Sequence, residues 1–68
     1  MNYHIEVIGP GLAKIHEEVS YPISQAEAQE NIETVKANRA KYANDEAYLR
    51  RLNFYEEVLD ALQEGVSK

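Results

Sequence analysis

Large apolar side chains recur at heptad spacing through the C-terminal half of this chain, at Tyr48, Leu52, Tyr55, Leu59, Leu62 and Val66. A shorter strip with the same rhythm precedes it: Ala28, Ile32 and Val35, continued by Arg39 and Tyr42. Residues three and four apart share one face of a helix, so each strip is a seam that must be covered. Few residues separate the two strips, and folding one onto the other covers both. The spacing therefore predicts an antiparallel helical hairpin, with helix one over residues 24–42 and helix two over residues 45–64.

Local signals mark the helix ends. Ser24 followed by Glu27 is a capping box, with Pro22 outside it and Ile23 placed to staple onto Ala28. Glu27, Glu30 and Glu33 suit the positive N-terminal end of helix one, and Lys36, Arg39 and Lys41 suit its negative end. Asn44 or Asp45 caps helix two, and Gly65, which enters the left-handed conformation without strain, ends it.

In residues 1–22, Tyr3, Ile5 and Val7 alternate with His4 and Glu6 up to the turn Gly9-Pro10-Gly11. Folding back there sets Ile5 opposite Ile15, Val7 opposite Ala13, Glu6 opposite Lys14 and His4 opposite His16, a sensible cross-strand register. Tyr3, Ile5, Val7, Ala13, Ile15 and Val19 then face the helices, with Glu17 falling on the same face. A short helix over residues 12–19 is the competing reading, because Leu12, Ile15 and Val19 also fit a helical stripe.

Helix two carries a second seam, Ala47, Phe54, Val58 and Ala61, beside the first. One seam takes helix one and the other takes the β-hairpin, giving a single α+β domain of ββαα order. A chain of 68 residues without cysteine has neither a large core nor disulfides to support it. Dimerisation is the expected support, through Phe54 and Val58 or through open strand edges.

The net charge of −5 opposes a general nucleic-acid coat protein, which needs surplus Lys and Arg. The charge is unevenly spread: residues 36–51 hold five basic and two acidic side chains, while the flanking segments are acidic. Lys36, Arg39, Lys41, Arg50 and Arg51, with Tyr42 and Tyr48, form a candidate basic tip at the helix–helix turn, and antiparallel pairing makes Arg39 and Arg51 neighbours. Such a tip suits a phosphate, an acidic peptide or single-stranded nucleic acid. Glu56, Asp60 and Glu64, with Glu57 alongside, form an acidic stripe on helix two that suits a basic partner.

His4 and His16 sit across from each other with Glu6 and Glu18 near, which is a zinc-compatible donor set, yet there is no sequence-close ligand pair and no metal is expected. Ser20, Ser24 and Ser67 lack a nucleophile context, and the paired glutamates point to different faces, so neither enzyme activity nor a cofactor is expected. The start of the chain lacks the order of a signal peptide and no run is long enough to span a bilayer, which predicts a cytoplasmic protein. The expected function is a small acidic, non-enzymatic, self-associating module that binds another protein, with Glu56, Glu57, Asp60, Glu64, Phe54 and Val58 as partner-binding candidates. The alternatives are a nucleic-acid accessory protein using the basic tip, and an inhibitor that presents the acidic face as a nucleic-acid mimic.

Overall fold

A computed structural model describes residues 3–42 and 44–68, except for the side chain of Tyr42. Strands β1 (His4–Gly9) and β2 (Leu12–His16) pair antiparallel in the expected register, from His4 opposite His16 to Val7 opposite Ala13. Gly11 turns the chain at φ +67°, where a side chain would be strained. A bulge between Val7 and Gly9 absorbs one extra residue and leaves Ile8 about half exposed. The helical alternative for residues 12–19 does not form.

The sheet has a third strand that the pattern does not announce. Strand β3 (Tyr21–Ser24) pairs with β2, Ala13 opposite Ile23 and Ile15 opposite Tyr21, so the order is β1-β2-β3 with β2 central. The expected two-stranded hairpin is thus a three-stranded meander. Ile23 is a buried strand residue and shares the core cluster with Ala28, onto which the sequence expects it to staple. Pro22 masks the strand in sequence, because proline weakens such a run everywhere except at an edge. The alternation, expected to run through Val19, ends with β2 at His16. Residues 17–19 form a bend after β2, so Glu17 is exposed and Val19 is 74% exposed instead of facing the helices.

Both outer edges of the sheet are blunted within the chain. On the β3 side Pro22 has no N–H, and the Ser24 N–H meets the Glu27 carboxylate at 3.4 Å. On the β1 side, Ile5 and Lys68 exchange two backbone hydrogen bonds, at 2.7 and 2.8 Å. The Val7 N–H also donates to the Ser67 hydroxyl at 3.0 Å.

Helix α1 (Gln25–Ala37) starts at the capping box, where Ser24 Oγ accepts the Glu27 N–H at 3.1 Å. It ends earlier than expected. Asn38 donates its side-chain amide to the Thr34 carbonyl at 2.9 Å, taking the acceptor its own backbone N–H would use in a continuing helix. That N–H shifts to Val35 at 3.1 Å, and the chain resumes as the four-residue helix α2 (Arg39–Tyr42). The expected helix over 24–42 is therefore two helices. Asp45, not Asn44, caps helix α3 (Glu46–Glu64), accepting the N–H groups of Ala47 and Tyr48. Gly65 ends it at φ 69°, with its N–H and that of Val66 both closing on the Ala61 carbonyl.

The α1 and α3 helices lie side by side on one face of the sheet. Tyr48, in the first turn of α3, donates its hydroxyl to the carbonyl of Val35 near the end of α1 at 2.7 Å, so the pair is antiparallel. The core joins Ile5, Ala13, Ile15 and Ile23 of the sheet to Ala28 of α1 and Val58 and Ala61 of α3. Three alanines at the contact let backbones approach closely. Leu59 and Leu62 pack around this centre half-buried, as the heptad seam requires, but Val66 lies beyond the helix and is 56% exposed.

The sheet covers only the C-terminal half of α3. Val58 and Ala61 are fully buried, Phe54 is half-buried, and Ala47 at the start of the second seam is exposed. A helix of 19 residues is about 28 Å long, whereas five strand residues reach about 17 Å. The first two turns of α3, with the end of α1, consequently stand off the sheet as an arm.

Candidate interaction surface

The arm carries most of the cations and one exposed large apolar side chain, Leu49; Ile8, Leu12, Val19 and Val66 are exposed elsewhere. Leu49 is half exposed, between the half-buried Tyr48 and Leu52. These three, with Lys36, Arg39 and Glu56, line a cleft of about 370 Å³ between α1 and α3. A second cleft, of about 320 Å³, opens on the sheet side of α3, lined by Tyr3, Tyr21, Phe54 and Tyr55, by Arg50 and Arg51, and by Glu17.

The expected basic tip is divided between these clefts. At 100° per residue, positions 49, 52 and 56 point away from positions 50, 51 and 54, while Tyr48 and Tyr55 lie on the seam between the two sets. Arg39 and Arg51, expected as neighbours, therefore open on opposite sides of α3. Lys41 is exposed on α2, and the side chain of Tyr42 lies outside the described residues.

The aromatic cleft is held from within. Tyr3 meets Phe54 edge to face, with centroids 4.8 Å apart at 87°, and Phe54 meets Tyr55 at 5.2 Å. The Tyr3 hydroxyl donates to Glu57 at 2.5 Å. Burial, followed by the hydrogen bond to Glu57 and its charge, pushes that hydroxyl far above the usual phenol range, so it stays a donor. Burial also raises Tyr21, helped by Glu17 and Tyr55 and opposed by Arg51, which places the Arg51 charge near that ring. Neither Tyr3 nor Tyr21 stands out in sequence as a site residue. Tyr3 reaches α3 from the residue before β1 and Tyr21 from the first residue of β3, an arrangement that the folding of the sheet onto α3 creates.

The acidic stripe is partly engaged inside the molecule. Glu57 holds Tyr3, and Glu64 pairs with Lys68 at 3.1 Å, which leaves Glu56 and Asp60 exposed beside them. Val58, expected at an interface, has no accessible surface, and Phe54 is half covered by Tyr3. The second seam is thus met by the sheet of the same chain.

On the outer face of the sheet the histidines are neighbours, as the register predicts, with ring centroids 5.8 Å apart. His16 Nε2 lies 2.7 Å from Glu6 Oε1, and that hydrogen bond, followed by the charges of His16, Lys14 and His4, holds the Glu6 carboxyl below its ordinary value. No group of three or more His, Cys, Asp and Glu side chains among the described residues is placed to hold a metal ion. Among the described residues no helix is long and apolar enough to cross a membrane. Comparison with family models, with curated proteins and with solved structures found no match to this chain.

Proposed function

We propose that this protein is a small, non-enzymatic interaction module that docks another protein on the free arm of its helical hairpin. The observation that supports the reading is the partition of α3. Its C-terminal half is closed under the sheet, while its N-terminal half presents Leu49 on one of two clefts that each carry two cations. Half-exposed apolar groups ringed by charge make a suitable docking surface, because they release water on contact while the charges select the partner. The displaced titrations at Tyr3, Glu6 and Tyr21 fit a non-enzymatic reading, since each group is held by a neighbour that gives it a structural role. Cytoplasmic residence belongs to the same proposal, on the absence of cysteine from the sequence.

Partner capture from host extract separates the arm from the stripe. Leu49→Glu should abolish capture and Asp60→Lys with Glu64→Lys should leave it intact; the reverse pattern refutes the arm. Self-association keeps the arm as its surface, because the sheet edges and the second seam are met within one chain. Light scattering at micromolar concentration tests it: twice the chain mass supports a homodimer, and the chain mass alone removes it.

A further inference from the structure

The cleft on the sheet side of α3 combines aromatic and charged side chains. Four aromatic rings line it, and three of them are set in advance by the contacts of Phe54 with Tyr3 and Tyr55 and by the Tyr3–Glu57 hydrogen bond. Arg50 and Arg51 also line the cleft, both exposed, and neither guanidinium is ion-paired among the described residues. Glu17 completes the lining.

Adjacent unpaired guanidiniums are a fork for a carboxylate, and fixed aromatic walls favour an apolar side chain beside it. We infer that this cleft binds an acidic peptide segment, with a carboxylate on Arg50 and Arg51 and a neighbouring aromatic or aliphatic side chain among Tyr3, Tyr21, Phe54 and Tyr55. The inference rests on the arm as docking surface and names the chemistry of its partner. A single nucleic-acid strand fits less well, because it needs a succession of cations along its phosphates. Lys36 and Arg39 face the other cleft, so the positive track stops after two residues. Glu17, in the same lining, repels phosphates, whereas a peptide N–H can donate to it.

The test uses the full chain, labelled with nitrogen-15, and three probes: a short peptide of alternating glutamate and phenylalanine, the same peptide with glutamine for glutamate, and an oligothymidylate of equal charge. Amide shifts should saturate with the acidic peptide below about 1 mM, the weak end of measurable affinity, and should cluster at Tyr3, Tyr21 and residues 50–55. The glutamine peptide should give at least tenfold weaker binding. Arg50→Gln with Arg51→Gln should produce the same loss with the spectrum otherwise unchanged, since both side chains are exposed. Tighter binding of the oligothymidylate, or no shifts with the acidic peptide, overturns the proposal. Shifts at Lys36, Leu49 and Leu52 overturn this cleft yet keep the arm as docking surface. Shifts confined to residues 56–64 overturn both.

Discussion

Replacing Ile15 by alanine tests whether the sheet and α3 share one core. Ile15 lies on the central strand, has no accessible surface, and belongs to the cluster that contains Val58 and Ala61. The substitution removes three carbons, worth about 0.8 kcal/mol each, or about 2.4 kcal/mol of transfer free energy. The cavity left between a strand and a helix collapses only in part, which brings the expected cost to about 3–4 kcal/mol. A chain of 68 residues has about 3–10 kcal/mol in all, so the loss is a large fraction of its stability. Urea unfolding followed by circular dichroism measures it, with Ile15→Val as an intermediate step of about 0.5–1.5 kcal/mol if the alanine variant does not fold. Leu49→Ala is the control. Its side chain is half exposed on the arm, and its expected cost is below about 1 kcal/mol. Equal losses at 15 and 49, or a loss at 15 below about 1 kcal/mol, would refute the placement of the sheet over α3.

Gly65→Ala should destabilise by about 1 kcal/mol through backbone strain alone, because φ is 69° and open space surrounds the added methyl; an unchanged urea midpoint would show that the helix ends differently. Tyr3→Phe leaves the Glu57 carboxylate without its donor and should cost about 1.5–3 kcal/mol in the same assay, reduced toward the lower value by partial exposure. Glu6 has a lowered pKa in the folded chain, so the unfolded chain takes up the proton first. Its contribution is present above the ordinary carboxylate value and is lost as pH falls through the lower folded value. Glu6→Gln should therefore flatten the acid limb of the stability profile between those two points, and an unchanged slope there would remove the His16–Glu6 contact from the account.

Sequence by itself determined the features whose partners are near in the chain. The β1–β2 register follows from a turn at Pro10 and Gly11 and from period-two alternation on either side. The Ser24–Glu27 box and the Gly65 stop are hydrogen-bond and backbone requirements met within a few residues. The α1–α3 pairing was legible as well, since two apolar strips on adjacent helices have each other as the nearest cover. Tertiary structure decided what depends on distant cover. Tyr21-Pro22-Ile23 becomes a strand because β2 offers it an edge and the shared core takes Ile23, and no local pattern carries that information. Asn38 breaks the first helix because one side-chain hydrogen bond displaces one backbone bond, a choice that a helix-compatible sequence leaves open. The division of the basic residues is a matter of rotation. Lys36 and Arg39 share a segment with Arg50 and Arg51 in one dimension, but packing Val58 and Ala61 under the sheet turns α3 so that the two pairs face opposite sides.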